Sequence, residues 1–284
     1  MPVSSATEPG SRPPLRADGV APNPRLTTIA PSPDVAWAGL VWTLVRTDFK
    51  ARYHGTASGF LWALLKPATM FAVLVAVFSF VFASEPTYKL DLIIGLFLWD
   101  FFADATKTGM TSLSAKSFLL TKAKLPRWIV VVTSMANAVL TLLVFAVVTS
   151  LFIAASGRAP GPWAFVAFGV YLLALTLMVV GLSLASSVLF LRYRDLNQVW
   201  DMATQAGFFL APIIYPLGVI PERFHLWLFL WPPTPVIEFA RAALVDGALP
   251  TPRGQACLAL MVVLLLGAGT FIYRRYAPRA AEYL

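Results

Sequence analysis

The chain has 284 residues, of which 58% are hydrophobic and 13% are charged, and its formal net charge is +8. A soluble globular protein has roughly 25% charged and 45–50% apolar residues, so the composition excludes an ordinary soluble domain and indicates a polytopic membrane protein. The basic residues cluster beside apolar runs, where they orient helices in a membrane. The positive charge therefore does not predict nucleic-acid binding.

The N-terminal part divides into two segments. Residues 1–33 carry eight prolines and few large apolar side chains, which predicts a disordered tail without the apolar run of a signal peptide. In residues 34–59, apolar side chains recur at helical spacing, and basic residues crowd the C-terminal half of the helix. This pattern predicts a helix in the cytoplasmic membrane interface, with a seventh span as the alternative. The interface-helix candidates are Trp37, Arg46, Asp48, Lys50, Arg52 and Tyr53.

Residues 60–273 predict an all-α membrane domain with six transmembrane helices. The spans are Pro67–Ala83 with its flank back to Phe60, Leu90–Gly109, Trp128–Ala155, Trp163–Leu191, Val199–Ile220 and Ala256–Tyr273. In this topology 17 Lys and Arg residues lie in inner segments and five in outer ones, which predicts that both termini, including the tail 274–284, are cytoplasmic. The single cysteine, Cys257, excludes an intramolecular disulfide and is expected to be a packed, inert thiol.

Two connecting segments contain short apolar pieces. Between spans five and six, Leu226–Trp231 and Val236–Val245 are too short to cross a membrane and are separated by prolines. We predict a pair of re-entrant helices over residues 221–245, and the alternative is a surface helix in the outer interface.

The inner loop 111–126 contains basic and hydroxyl side chains together with the apolar tripeptide Phe118-Leu119-Leu120. This combination predicts a short helix that docks on a soluble partner. A solvated basic loop is the alternative. The docking candidates are Ser114, Lys116, Ser117, Phe118, Leu119, Leu120 and Lys122.

Four segments carry a family resemblance in combination. They are RTDFKARYHGTASGFLWALLKP (46–67), WDFFADATKTGMTSLSAKSFLLTKAKLPR (99–127), Tyr193-Arg194-Asp195, and PPTPVIEFAR (232–241). Together they resemble the membrane subunits of ABC-2-type exporters of lipid-linked polysaccharide, such as O-antigen and teichoic acid. The chain departs from many members of that family at Thr47, where a charged residue is usual, and at Asp100, where an amide is common.

The resemblance implies a six-span subunit of the bacterial plasma membrane that forms a homodimer and binds two ATPase subunits. It implies that the loop 111–126 is a coupling helix against the ATPase and that residues 221–245 form an outer gate. The gate candidates are Trp231, Pro232, Pro235, Glu238 and Arg241. The chain contains no G-x-x-x-x-G-K-[ST] motif, so ATP and Mg are expected in the partner subunit, and this chain is expected to bind no cofactor or metal.

A polymer of sugars can slide along aromatic side chains, because each ring stacks weakly on a sugar and no single site binds the polymer tightly. The candidates for a translocation path are Phe71, Phe78, Phe82, Asp100, Asp104, Gln205, Phe208, Phe209 and Tyr215. Core packing or lipid contact is the alternative for the aromatic residues. The two aspartates could instead form an internal pair with Lys107 or relay protons.

Three other functions were weighed against export of a lipid-linked glycan. Within the ABC-2 class, a small-molecule or drug exporter is the alternative, because span architecture does not separate substrates. A proton-coupled flippase would use Asp100 and Asp104 and would need no ATPase. A membrane-embedded lipid-sugar transferase is disfavoured, because His54 and His225 lie on opposite sides in the predicted topology. The identity of the glycan is not specified, and a galactan-type cell-wall polymer is one candidate.

Overall fold

The computed structural model describes residues 33–53, 59, 61–83, 85–122, 126–157 and 160–278. The helices in these ranges are α1 (Pro33–Tyr53), α2 (Leu61–Phe78), α3 (Tyr88–Ala115), α4 (Ser117–Lys122), α5 (Arg127–Ser134), α6 (Ala136–Ala155), α7 (Pro162–Arg192), α8 (Leu196–Leu210), α9 (His225–Phe229), α10 (Pro233–Leu244) and α11 (Pro252–Tyr276). Two short 3-10 helices, Leu217–Val219 and Glu222–Phe224, join α8 to α9. The described ranges contain no strand, so the predicted all-α class is confirmed.

Several predictions fall on parts of the chain outside the described residues. These are the tail 1–32, the last six residues, and the side chains of Trp37, Leu119 and Lys122. The chain divides into two units, of which residues 39–284 form the larger. The smaller unit ends at Ala38 and includes the first residues of α1.

The central element of the larger unit is α3, which packs against α2, α5, α6, α7, α8 and α10. Every residue from Leu92 to Trp99 is buried. A helix that is apolar on all sides must be enclosed by other helices, and this half of α3 has that character. The charged residues of α3 lie mainly toward its other end, where Asp104 and Lys107 are only half-buried.

The helices α7 and α11 approach each other at two glycines. A Cβ atom added to Gly181 would lie 2.5 Å from the main-chain oxygen of Leu265, and one added to Gly269 would overlap the Gly181 carbonyl. Small residues let two membrane helices bring their backbones into contact, where van der Waals packing holds them together. This pair therefore forms a closely packed part of the bundle.

Four stretches of the described chain are long and apolar enough to cross a membrane: Leu61–Phe78, Arg127–Ala155, Pro162–Arg192 and Pro252–Tyr276. They coincide with the predicted spans one, three, four and six. The helical path in Arg127–Ala155 is interrupted at Met135, between α5 and α6. The four spans establish a multi-pass arrangement.

The predicted fifth span differs from the structure. We expected a continuous helix over Val199–Ile220, but α8 ends at Leu210 and the chain leaves the helix at Ala211. Pro212 and Pro216 explain the break, because proline has no N–H to donate and its ring clashes with the preceding helical turn. The two prolines were a visible signal for this break.

The expectation that Cys257 is packed is wrong. This residue is exposed on α11, whereas the next residue, Leu258, is buried. Consecutive residues of an α-helix point about 100° apart, so an apolar run in a surface helix places some members outside and others inside. Hydrophobicity alone did not tell the two faces of α11 apart.

Candidate functional site

The helix α1 is bound to α3 by two ion pairs. Asp48 accepts from the Lys116 ammonium, and Arg52 Nη2 donates to Asp104 Oδ1 over 2.9 Å. Asp48 and Arg52 are four residues apart, so both project from one face of α1. Lys116 Nζ also donates to the Ser134 hydroxyl at 2.8 Å and thereby connects α5. The predicted interface-helix residues Asp48 and Arg52 thus contact α3. Arg52, like Arg46 and Lys50, is also exposed to solvent.

The internal pair Asp104–Lys107, one of the alternatives for these charges, is not formed in the structure. Asp104 binds Arg52 of α1, and Lys107 binds Asp201 of α8. Neighbouring helices supply both partners, so neither charge depends on its own helix. Arg52 donates this hydrogen bond to the Asp104 carboxylate, and the interaction raises the pKa of Arg52. We call the three ion pairs Asp48–Lys116, Arg52–Asp104 and Lys107–Asp201 the inner ion-pair network.

The predicted docking segment is divided between two helices. Ser114 belongs to the end of α3, Lys116 lies at the junction, and α4 begins at Ser117. On α4 the Phe118 side chain is 69% exposed, whereas Leu120 packs against a buried cluster that includes Leu113 and Val130. The arrangement fixes α4 through Leu120 and presents Phe118 at the surface.

The tripeptide Tyr193-Arg194-Asp195 forms the turn between α7 and α8, and its three side chains are exposed. The turn is closed by main-chain hydrogen bonds, including one of 2.9 Å from Gln198 N to the Asp195 carbonyl. Arg192 lies over the Tyr193 ring, 5.2 Å from its centroid. This turn sets the direction in which α8 enters the bundle.

An elongated cleft of about 570 Å³ lies between α2, α3 and α8. Asp100 and Phe208 line it, as predicted for a translocation path, together with Lys66, Trp62 and Trp99. Most of the remaining lining is apolar, so the cleft combines a hydrophobic wall with one acid and one cation. We call it the α2–α3 cleft. The two tryptophans were not among the predicted site residues, although Trp62 precedes Lys66 by one helical turn and so shares its face.

The other predicted aromatic path residues do not line this cleft. Phe71 packs edge-on against Phe152 of α6 with ring centroids 6.1 Å apart. Phe78 stacks on Phe82 at 6.5 Å, and Phe82 contacts Tyr88 at 5.1 Å. These rings pack α2 against neighbouring parts of the chain. They therefore fit the alternative in which the aromatic residues serve core packing.

The remaining two candidates from α8, Gln205 and Phe209, are exposed, Phe209 by 62%. They lie on the same helix as Phe208, which contacts Trp99 at 5.9 Å between ring centroids. Only Phe208 of this group therefore reaches the cleft.

A buried arginine organises the opposite end of the bundle. Arg241 of α10 is 6% exposed and forms an ion pair of 2.8 Å with Glu238. Its guanidinium also donates to three main-chain carbonyls, those of Asp91 at 2.9 Å, Pro212 at 2.6 Å and Ile213 at 3.1 Å. The Pro212 and Ile213 carbonyls lie in the break after α8, so Arg241 supplies hydrogen bonds that a continuous helix would have made internally.

Two tyrosines complete this outer cluster. Tyr88 donates to the Ile214 carbonyl at 3.0 Å, and Tyr215 donates to the Phe209 carbonyl at 2.9 Å. Tyr215 also lines a small cavity of about 170 Å³ with Glu238 and Arg241. Tyr215 is one of the predicted path residues, and its hydroxyl binds the Phe209 and Leu210 carbonyls at the end of α8. The role of Tyr88 was missed, because a contact across 126 positions leaves no local pattern.

The remaining gate candidates hold α10 against the bundle. Trp231 packs over Gly207 of α8, where an added Cβ atom would overlap the indole ring, and its ring centroid is 6.4 Å from that of Trp99. Pro232 and Pro235 lie at the start of α10, where proline fits because the first helical N–H groups have no internal partner. The residues predicted as the gate thus form one packed unit with the end of α8.

Comparison with known proteins agrees with this architecture. The family model described as ABC-2 type transporter matches residues 39–245. The O-antigen export system permease protein RfbA of Myxococcus xanthus is 29% identical over 253 residues, covering 87% of this chain and 95% of the relative. The protein of the same name from Klebsiella pneumoniae is 26% identical, covering 86% and 95%. The polysialic acid transport protein KpsM of Escherichia coli is 21% identical, covering 82% and 92%. The chain belongs to the ABC-2 type transporter family.

Proposed function

We propose that this chain is the permease subunit of an ATP-driven ABC exporter that moves a lipid-linked polysaccharide from the cytoplasmic to the outer face of the plasma membrane. The observation that carries the proposal is the match to O-antigen export permeases of two organisms over 86–87% of this chain. A third relative is named for transport of another sugar polymer, polysialic acid. All three relatives are therefore named for the transport of a long saccharide.

The energy for export comes from a separate subunit in this proposal. The sequence holds no G-x-x-x-x-G-K-[ST] motif, so the phosphates of ATP and its Mg ion are bound by two ATPase subunits beneath a homodimer of this chain. The docking surface is α4, because its exposed Phe118 is a large apolar side chain beside Lys116 and Ser117. A large apolar side chain at a protein surface is a typical anchor of an interface.

In the proposed topology the chain crosses the membrane six times, at the four apolar helices and at two further segments. The additional crossings are α3, whose 28 residues are long enough, and α8 together with the irregular segment that follows it. A break of this kind is tolerated at membrane depth only when protein groups bind its carbonyls, as Arg241 and Tyr88 do. Six crossings leave both termini in the cytoplasm, with α1 in the inner interface and α9 and α10 as re-entrant helices at the outer gate.

The α2–α3 cleft is the proposed contact surface for the substrate. Its apolar wall suits a lipid carrier, the 60% exposed Trp62 offers an aromatic ring to sugars, and Lys66 offers a cation to a phosphate. Asp100 lines the same cleft and can accept hydrogen bonds from sugar hydroxyls. The site therefore combines the three kinds of contact that a lipid-linked saccharide requires.

The test is co-purification of the tagged protein from its native host in mild detergent. We expect an ATPase with a P-loop motif in equal amount, and we expect Phe118→Ser to release it. Leu120 stays unchanged, because it packs in the buried cluster and its loss would affect folding. The control is Phe80→Ser, which removes an equally large side chain that is 83% exposed near the end of α2, away from α4.

Two results would contradict the proposal. One is a protein that purifies without any ATPase and transports in response to a proton gradient. The other is an ATPase whose binding is as sensitive to Phe80→Ser as to Phe118→Ser.

A further inference from the structure

A second groove lies away from the α2–α3 cleft, between α9, α10 and α11. Its volume is about 330 Å³, and its lining is almost wholly apolar. The residues that matter here are His225, Phe229, Phe239, Cys257, Leu258 and Met261. A volume of this size lies at the lower end of the roughly 300–1,000 Å³ typical of small-molecule sites. We call it the α11 groove.

The α11 groove is continuous with a large apolar surface. On α11, Leu260, Val263 and Leu264 are 58%, 66% and 60% exposed, and on α9 Leu226 and Trp227 are 80% and 68% exposed. Because α11 is long and apolar enough to span a membrane, this surface is covered by lipid chains in the cell. Trp227 is of the residue type that collects where lipid chains meet headgroups. The groove therefore opens toward lipid near the level of the headgroups.

Two arginines lie close in sequence to residues that line the α11 groove. Arg223 lies two residues before His225, and Arg253 directly precedes Gly254, another lining residue. Both arginines are exposed, and Arg223 lies over the Phe224 ring, 4.8 Å from its centroid. The acidic residue Glu222 directly precedes Arg223 in the sequence. Guanidinium groups bind phosphate oxygens through paired N–H donors, so this end of the groove suits an anionic headgroup.

We propose that the α11 groove binds a phospholipid, with an acyl chain between α9 and α11 and the phosphate beside Arg223 and Arg253. An apolar groove of this volume can hold a flexible chain. In the topology proposed above, the bound lipid belongs to the outer leaflet. The inference rests on that topology and not on the identity of the exported substrate.

The experiment uses the full chain in nanodiscs that contain phosphatidylglycerol with a photoreactive diazirine at the end of one acyl chain. After irradiation, mass spectrometry locates the cross-linked residues. We expect about tenfold more cross-links per residue in the groove than at Leu260 and Val263. This ratio corresponds to a tenfold preference of the acyl chain for the groove. An even distribution over the exposed face of α11 would overturn the proposal, and this comparison needs only the wild-type protein.

Two variants fill the α11 groove. Cys257→Trp and Met261→Trp should each lower the groove cross-links by about tenfold, whereas Leu260→Trp, on the same helix outside the groove, should leave them unchanged. The double variant Arg223→Gln with Arg253→Gln should remove the preference for phosphatidylglycerol over phosphatidylcholine while the chain contact remains. Equal cross-linking in all the tryptophan variants would overturn the proposal. Retention of the ATPase subunit is measured separately, so failure of this inference is distinct from failure of the proposed function.

Discussion

Lys116, at the junction of α3 and α4, forms an ion pair with Asp48 of α1. Both side chains are largely buried, with 17% and 21% of their surface exposed. The pair joins the predicted interface helix to a residue of the predicted docking segment, and Ser134 joins α5 to the same ammonium group. A force on α4 therefore reaches α1 through one side chain.

The first prediction concerns this pair. Asp48→Asn should destabilise the protein by about 1–3 kcal/mol, because it leaves the Lys116 ammonium without its charged partner. It should also lower substrate-stimulated ATP hydrolysis in the assembled complex, since α1 and α4 lose their connection. The measurements are thermal unfolding in detergent and ATPase rates in nanodiscs. Arg46→Gln, an exposed change on the same helix, is the control, and exchange of the two charges (Asp48→Lys with Lys116→Asp) should restore part of the loss.

The second prediction concerns Arg241. Replacement by Gln leaves Glu238 buried without its cation and removes donors from the carbonyls in the break after α8, so we expect a loss of about 3–5 kcal/mol. Arg241→Lys should recover only part of this loss, because an ammonium lacks the planar fork of donors. Thermal unfolding in detergent measures the effect. A stability of Arg241→Gln within about 1 kcal/mol of the wild type would contradict the proposed role in closing the break.

The third prediction tests the contact between α7 and α11. Gly269→Ala should destabilise the protein by about 1–3 kcal/mol, because the added methyl overlaps the Gly181 carbonyl and forces the backbones apart. Gly267→Ala is the matched control on the same helix, since a Cβ atom there meets nothing within 4 Å. The measurement is the midpoint of thermal unfolding for each variant. Equal midpoints for the two variants would show that the backbones are not in contact.

The fourth prediction concerns the α2–α3 cleft. Met70→Trp places a large ring in the cleft, so export should fall while the ATPase subunit stays bound. Val77→Trp is its control, because Val77 is exposed on α2 but does not line the cleft. Appearance of the polysaccharide at the cell surface measures export, and co-purification measures assembly. Normal export by Met70→Trp would show that the substrate does not pass through the α2–α3 cleft.

Local patterns in the sequence predicted the helices well, and they failed where distant parts of the chain meet. The spacing of Glu238 and Arg241 places both on one face of a helix, and the structure has this ion pair. The same argument gave the wrong partner for Asp104, because Arg52 lies 52 positions away and no periodicity connects them. Charges inside a bundle pair with whichever helix packs beside them, and a single sequence does not contain that choice.

The candidate site was predicted in part for the same reason. Asp100 and Phe208 line the α2–α3 cleft, and they were chosen as a charge inside a predicted span and as an aromatic side chain on a predicted span. Phe71 met the same aromatic criterion but packs against Phe152. Which face of α2 meets α3 and which meets α6 depends on helix rotation, and the uniform hydrophobicity of a membrane helix does not encode that rotation.

The glycine contact between α7 and α11 has a mechanical consequence. Two backbones that touch cannot slide past each other without first separating, so we expect α7 and α11 to move together as one rigid body, or strut, during transport. Conformational change must then occur in the helices that surround this strut. The segments joined through side chains, α1, α2 and α8, are the parts whose ion pairs and aromatic contacts can exchange partners while the strut stays intact.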